Sequence, residues 1–492
     1  MNTNKTEEFE IRKDKLKKIE ECKNIAYASK FDKNSELYEA NVMPDDSVVS
    51  VCGRITNYRD FGKFAFLKLY DINGELQISI SKNELGEEYK NIKNKIDTGD
   101  FIGVTGILYT TKTGQKTVRC NDVVLLSKAL RPLPEKFHGI SDPEISARQR
   151  YLDIITNKCT RETFKTRIEI LKTIRDYLQK NGFVELETPI IQSVACGANA
   201  KPFVTHHNAM NEELYLRIAP ELYLKTAIAA GFDKVFEIGK NFRNEGIDSS
   251  HLQEFTMIEW YAAYWDYIKN MKFSTELLQI LIENTFNKLS FDYQGINLDF
   301  SKFEKISYIE ELNRFFKTNI LEFENVEDIK KILRANSIFD DKELEKANSM
   351  ASIMDLVFKR KIRPYIIQPT ILCDYPSYMV PLARTNDTNY HILDMFQIIV
   401  NSWEIAKCYS ELVNPIKQRK EFEHQIIDKL NGDEEAMNLD ENFLLAMEHG
   451  MPPMSGLGMG IDRLVAILTN NSSLRDVVMF PQVKNQPIKK LK

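Results

Sequence analysis

The run Phe236-Glu-Ile-Gly-Lys-Asn-Phe-Arg243-Asn-Glu245, followed after a loop by Glu254-Phe-Thr-Met-Ile-Glu-Trp-Tyr261, governs how the larger part of this chain is read. It reads as two antiparallel strands joined by a long loop. On the second strand Phe255, Met257, Glu259 and Tyr261 share a face by the strand period of two. An aromatic plate, a carboxylate and a phenol on one face suit the floor of a nucleotide site beside a cationic ligand. Arg243, at the mouth of the loop, offers a planar fork of donors matched to phosphate or carboxylate. On spacing alone a surface hairpin with an ion pair is the simpler reading, so the neighbouring segments have to decide.

Upstream, Phe164, Ile168, Leu171, Ile174 and Leu178 recur at helical spacing, and Asn181-Gly182 ends the helix. Phe183-Val-Glu-Leu-Glu-Thr-Pro189-Ile-Ile then reads as a strand whose proline suits a sheet edge or an interface. Downstream lies Gly456-Leu-Gly-Met-Gly460-Ile-Asp462-Arg463-Leu, alternate glycines that let backbone approach a ligand, running into a helix. It lacks GK[ST] and follows no ribose-binding βαβ pattern, so it is neither a P-loop nor a dinucleotide fingerprint. Helix and strand patterns alternate from residue 151 to 492, which implies one large α+β domain with an acidic helical insertion around residues 319–360.

Towards the N-terminus the texture differs. Residues 46–130 contain Val48–Thr56, Lys63–Tyr70, Leu76–Ser81, Phe101–Tyr109 and Thr117–Leu126, strand-like segments parted by turns such as Asp71-Ile-Asn-Gly74 and Lys112-Thr-Gly114. Five strands in so short a span suggest a small closed barrel of the OB-fold kind. Phe64 and Phe66 share one strand face, as core residues or as a stacking platform for unpaired bases. Residues 1–45 form a charged helical extension, either a solvated face or one whose lysines lie against a phosphate backbone. Residues 131–150, with Arg131-Pro-Leu-Pro134, read as a linker.

The chain has 492 residues with 66 Lys+Arg against 71 Asp+Glu, a net charge of −5 that excludes a globally cationic nucleic-acid coat but not a local basic face. Its 7 cysteines are odd in number and form no CxxC pair, which argues against a disulfide framework or a cysteine zinc site. No apolar run reaches a membrane span, and Met1–Arg12 is too charged for a secretory signal. A soluble, cytoplasmic protein is expected.

In this order the three catalytic-domain segments resemble the signature motifs of class II aminoacyl-tRNA synthetases, and the barrel ahead of them resembles the anticodon-binding domain of the lysyl, aspartyl and asparaginyl subclass. Local phrases look like the lysyl branch: Leu130-Arg-Pro-Leu-Pro-Glu-Lys-Phe-His-Gly139, Arg148-Gln-Arg-Tyr-Leu-Asp153, Pro202-Phe-Val-Thr-His-His-Asn208, Arg217-Ile-Ala-Pro-Glu-Leu-Tyr-Leu-Lys225 and Gly432-Asp-Glu-Glu-Ala-Met437. The resemblance implies a catalytic domain on a mixed, mainly antiparallel sheet flanked by helices, and a homodimer formed through the first motif and Pro189. It implies that L-lysine is activated with ATP and passed to tRNA(Lys), with Mg²⁺ on the phosphates. Carried over residue by residue, Arg243 would hold the α-phosphate and substrate carboxylate, and Arg463 the γ-phosphate. Phe255 would stack on adenine, with Glu245 and His251 lining the loop. Gly197 and Glu221 would take the α-amino group; Glu411 and Tyr261, with Glu259 and Tyr409, would take the ε-ammonium. Glu404 would ligate Mg²⁺, and Arg59, Phe66 and Gln77 would face the anticodon. Independently of the resemblance, a cationic side chain needs a buried carboxylate with aromatic walls, which Glu411, Glu259, Tyr261 and Tyr409 supply.

The sequence departs from the family in one stretch. Gln397 stands where relatives carry a second metal-binding Glu, Lys407 where they carry an Asn near the substrate, and Asn401-Ser402-Trp403 where a Gly-rich stretch is usual. Gln115 replaces an anticodon-contacting Glu. Gln397 and Lys407 motivate an alternative, a synthetase-like lysine- or tRNA-binding regulatory protein with impaired activation. A third reading, a paralogue that lysylates a protein, fits less well because such paralogues lack the barrel. Parity adds a structural expectation. On a regular strand Glu404 faces away from Lys407, Tyr409 and Glu411, so a bulge is needed between them if all serve one pocket.

Overall fold

The structure is a computed structural model and describes residues 3–22, 25–134, 140, 142–246, 248–336, 338–430 and 436–484. Parts of two phrases quoted above, at 135–139 and 432–435, and the lysine-rich tail from 485 lie outside the described residues. The chain divides into two compact units, Met1–Arg161 with Gln482–Lys492, and Glu162–Pro481.

In the first unit β1 (Val48–Asp60), β2 (Phe64–Tyr70), β3 (Glu75–Ser81), β4 (Phe101–Thr110) and β5 (Lys116–Ser127) close into a barrel of order β1-β2-β3-β5-β4. Alternation sends Val49, Val51, Leu67, Leu69, Ile78, Ile80 and Val104 inward to a dry core. β1 runs past its expected end at Thr56, with a bulge between Ile55 and Asn57 that bends it around the barrel. The N-terminal helix Thr3–Glu21 is solvated on one side only. Ile19 is buried in the barrel core, Arg12 donates to the carbonyl of Thr98 at 2.8 Å, and Lys15 pairs with Asp97 at 2.6 Å, while Lys13, Lys17 and Lys18 stay exposed.

The second unit is built on β6 (Val184–Glu185), β7 (Ile191–Gln192), β8 (Phe203–His207), β9 (Glu212–Leu216), β10 (Lys234–Phe242), β11 (Glu254–Ala263), β12 (Ser290–Tyr293), β13 (Ile296–Asp299), β14 (Glu304–Ser307), β15 (Thr370–Cys373), β16 (Met395–Val400), β17 (Trp403–Ser410) and β18 (Met454–Gly460). Eight of these make one sheet, β14-β15-β16-β17-β18-β11-β10-β6, antiparallel except at its two outer pairs. β7, β9 and β8 form a small side sheet, and β12 and β13 a hairpin. One face of the large sheet, with Phe236, Ile258, Trp260, Phe396, Ile398, Ala406 and Met459, packs with the helices Lys158–Lys180, Tyr267–Phe286 and Ile461–Leu468 into a single apolar core. The opposite face is left as the floor of a cavity. β14 and β15 run parallel, so the chain between them must cross over, and it does so through the insertion, which carries the helices Val326–Ala335, Asp341–Lys346 and Met350–Val357.

One expectation for the helix Lys158–Lys180 fails. Its buried stripe is Phe164, Ile170, Ile174 and Leu178, whereas Ile168 lies beyond the edge of that stripe and is 63% exposed. Among the described residues no helix is long and apolar enough to cross a membrane.

Candidate active site

The floor is assembled by register. Across β10, β11 and β18, Glu237 stands opposite Glu259 and Glu259 opposite Gly458, while Tyr261 stands opposite Gly456 and Met257 opposite Gly460. The strand period therefore puts Phe255, Met257, Glu259 and Tyr261 on the cavity side and Thr256, Ile258 and Trp260 behind. The alternate glycines of β18 make room for them: a Cβ at Gly456 would stand 2.2 Å from the Tyr261 ring and 2.5 Å from Glu411 Oε1.

β17 completes the floor through a register break. Ile398 pairs with Ala406 but Ile399 with Glu404, so Ile405 is the extra residue of a bulge. The side-chain alternation slips by one there, and Glu404 joins Lys407 and Tyr409 on the cavity side. The hairpin between β16 and β17 turns at Asn401 and Ser402, both at positive φ (46° and 65°), as a type I′ two-residue turn requires.

The cavity holds about 1230 Å³, enough for a nucleotide beside an amino acid. Gly197, Glu221, Arg243, Glu245, His251, Phe255, Glu259, Tyr261, Gln397, Glu404, Tyr409 and Arg463 all line it, from segments far apart in sequence. Glu411 does not. It lies fully buried behind Gly456, with Oε2 2.5 Å from the ammonium of Lys225 and no hydrogen-bond partner on Oε1.

Lys225 is one of the residues that the sequence did not single out. Its buried ammonium also donates to Glu221 Oε1 at 2.8 Å and sits over the rings of Tyr409 and Phe443. Tyr409 donates to the same Glu221 oxygen at 2.6 Å, and Tyr261 to Glu259 Oε2 at 2.9 Å. Glu221 and Glu411 thus share the Lys225 ammonium, while the charges of Arg243 and Arg217 act on Glu259. Burial and the charge of Glu221 push Glu259 up to about 8, and burial, against the pull of Lys225, pushes Glu411 well above the usual carboxylate range. The two carboxylates hold the Lys225 ammonium in its charged form despite its burial.

Around Glu404 the balance reverses. Burial pushes its carboxyl up, yet Arg463, Lys407, Lys359 and Arg363 together outweigh burial and hold it below its ordinary range. Arg463 is aimed by donating to the Glu404 carbonyl at 2.9 Å, and Lys359 pairs with Asp355 at 2.6 Å. Arg243 lies with its guanidinium carbon 5.1 Å from the centre of the Phe255 ring and keeps its Nε buried without a partner. His251, at the cavity mouth, is held by Asp248 at 2.9 Å. Lys359, Arg363 and Asp355 come from the insertion and the turns that follow it, whose part in the cavity no sequence pattern announced.

Of the two residues expected near a metal, Glu404 offers a carboxylate and Gln397 a neutral amide. The carboxylate of Glu404 lines the cavity among these cations. Gln397 also lines the cavity, and its Oε1 accepts the hydroxyl of Tyr375 at 2.7 Å, a neutral amide oxygen with one lone pair still open. Among the described residues no group of three or more His, Cys, Asp or Glu side chains is arranged to hold a metal.

In the barrel unit, Arg59 stands opposite Phe66, and Phe66 opposite Ser79, two positions from Gln77 on the same face. That face is the outer one. Phe64 is 41% exposed, Phe66 half-buried, and both contact the exposed Phe61, with Phe61 and Phe64 stacked at 5.0 Å. The core reading of these phenylalanines is therefore wrong, because Ala65 and Leu67 fill the inside. Ser79 is in turn opposite Arg119, an exposed cation in the same row that the sequence did not single out. Gln77 donates to Thr117 Oγ1 at 3.0 Å, and Gln115 sits exposed in the turn before β5.

A floor of conjugate glycines and paired carboxyls, a partnerless arginine over an aromatic ring, and a separate barrel with an outer aromatic face define a nucleotide-dependent enzyme that handles nucleic acid. Residues 142–484 match the family described as tRNA synthetases class II (D, K and N), and residues 49–126 match the OB-fold nucleic acid binding domain. The chain belongs to the class II tRNA synthetases of that group, and within it to the lysine–tRNA ligases. It is 43% identical over 456 residues to the lysine–tRNA ligase of Aquifex aeolicus, covering 92% of this chain and 75% of that relative. To those of Shigella dysenteriae and Escherichia coli K12 it is 42% identical over 459 residues, 93% of this chain and 89% of each relative.

Proposed function

We propose that this chain activates L-lysine with ATP to lysyl-adenylate and transfers the lysyl group to the terminal ribose of tRNA(Lys), releasing pyrophosphate and AMP. The observation that carries the amino acid's identity is the cluster of buried carboxyls Glu221, Glu259 and Glu411, in which Lys225 is shared by Glu221 and Glu411 and, among the described residues, Glu259 has no ion pair. A second ammonium offsets the charge of that cluster, and an acidic substrate would add to it. Tyr261, Glu259 and Tyr409, which line the cavity, receive the ε-ammonium, with Glu411 behind Gly456 adding its charge from the Lys225 pair, and Glu221 with the open backbone at Gly197 receives the α-amino group.

Arg243 then holds the substrate carboxylate against the α-phosphate. The carboxylate oxygen attacks phosphorus, the bond to the bridging oxygen breaks, and pyrophosphate leaves with the electron pair. No side-chain nucleophile is required, because fixed cations stabilise the charge spreading over the phosphates. Phe255 stacks on the adenine, Glu245 and His251 line the loop over it, and Arg463 binds the terminal phosphate. Glu404 is the residue suited to hold Mg²⁺ brought on the phosphates, which supplies further charge neutralisation when bound. In the barrel, Phe66 and Gln77 read unstacked anticodon bases, and Arg59 contacts their backbone. A homodimer, formed through the helix Lys158–Lys180 and the segment around Pro189, is supported by the exposed Ile168, Val184, Ile190 and Ile191. The place of work is the cytoplasm. Complementation of a strain depleted of its own lysine–tRNA ligase tests the whole reading: growth supports it, and failure of a soluble, expressed chain to restore growth refutes it.

A further inference from the structure

Lys407 stands at the join between the two charged halves of the cavity. Register puts it opposite Gln397 on β16 and opposite Gly458 on β18, and Gly458 is opposite Glu259, so one row runs Gln397, Lys407, Gly458, Glu259 across the floor. The groups facing its ammonium are Glu404 and Lys359 from the phosphate half, Glu221 from the amino-acid half, and Asp355. The other lysines nearby have partners: Lys225 has Glu221 and Glu411, and Lys359 has Asp355. Among the described residues no hydrogen bond or ion pair satisfies Lys407. Lys407 is half-buried in the cavity wall, so its ammonium is open to the cavity space without a protein anion on it, a position that a ligand anion completes. Beside it, Gln397 lines the same cavity with a neutral amide whose oxygen already accepts the Tyr375 hydroxyl at 2.7 Å, a far weaker ligand for a divalent ion than a carboxylate.

We propose that Lys407 is a fixed cation of this active site that binds the oxygens where the amino acid's carboxylate meets the α-phosphate, and that this side of the floor, with an amide at Gln397, takes no metal, so the nucleotide enters with a single divalent ion at Glu404. The proposal rests on the lysine-activating reading above. The ammonium neither gives nor takes a proton. It contacts the carboxylate before attack and the phosphoryl oxygens as the bridging bond breaks, and its charge stabilises both.

Two measurements test it, and the first needs no turnover. Mn²⁺ titration followed by electron paramagnetic resonance, with a non-hydrolysable ATP analogue, should count one Mn²⁺ per wild-type site, and the variant carrying both Gln397→Glu and Lys407→Asn should bind a further one. Two ions in wild type overturn the proposal even if the chain activates some other amino acid. The second is Lys407→Met, close in length and uncharged. It should lower kcat/KM for pyrophosphate exchange by about a hundredfold, the usual loss when one fixed charge-stabilising group is removed. The analogue should also bind more weakly by calorimetry, with Tm kept or raised. Wild-type kcat/KM and analogue affinity in Lys407→Met overturn it. An inactive wild type that still binds one Mn²⁺ and loses the analogue in Lys407→Met refutes lysine activation but not the role of Lys407.

Discussion

Glu221 and Glu411 share the ammonium of Lys225, and Glu259 stands close to Glu221, whereas Glu404 faces Arg463, Lys407, Lys359 and Arg363. The same sheet floors both halves, yet Glu259, 4% exposed, is pushed up to about 8 while Glu404, half-buried in the cavity wall, is held below its ordinary range. The neighbouring charges and the depth act in the same direction. One half is short of a cation and the other of anions, which is the complement of a lysine lying beside a triphosphate.

The largest effect comes from emptying the anion half. Arg243→Ala should cut kcat/KM for lysine-dependent pyrophosphate exchange by roughly a thousandfold, the upper range for one charge-stabilising donor. Because its Nε has no protein partner, Tm should hardly move, and a matched loss of Tm would mean Arg243 is structural. Next, Glu411→Gln should raise the KM for lysine by about a hundredfold, the scale of a broken buried ion pair, and leave the KM for ATP alone. Equal effects on both substrates would erase the contrast between the halves. Closing the floor with Gly456→Ala should cost about 3 kcal/mol in urea unfolding, because the new Cβ meets the Tyr261 ring.

The pH dependence sharpens the comparison. An incoming ammonium favours the ionised form of Glu259, so its carboxyl titrates lower in the complex than at about 8 in the free protein. The bound state then holds fewer protons, and lysine affinity should rise with pH between 7 and about 8 and level off above. Calorimetry at pH 7 in two buffers of different ionisation enthalpy should detect proton release on lysine binding. ATP binding, governed by the other half, should show no such release. The smallest effect belongs to the barrel: Phe66→Ala should weaken tRNA(Lys) by about 1–3 kcal/mol, the worth of one base stack, without altering pyrophosphate exchange.

Much of this was legible in the sequence because strand parity is strict. The faces of β11 and of the glycine run of β18 follow from period two alone, and the conflict of parity between Glu404 and Glu411 called for the bulge found at Ile405. What was illegible depends on contacts between distant segments. Lys225 follows Glu221 at the i,i+4 spacing of an ordinary helix pair, and nothing local shows that Glu411 meets it from beyond β17. Tyr375 takes the Gln397 oxygen across neighbouring chain, and the insertion supplies Lys359 and Asp355. Ile168 was misplaced for a simpler reason. A stripe of five apolar residues fits helical spacing whether its edge member faces core or surface, and only the packing partner decides.

The amino acid that drives ATP–pyrophosphate exchange is the most direct readout of the carboxyl cluster at Glu221, Glu259 and Glu411. Assayed with each proteinogenic amino acid in turn, the chain should exchange with lysine and with no other at comparable concentration. Exchange driven by aspartate or asparagine, or lysine bound without any exchange, would contradict the reading of Glu221, Glu259 and Glu411 as the seat of a substrate ammonium.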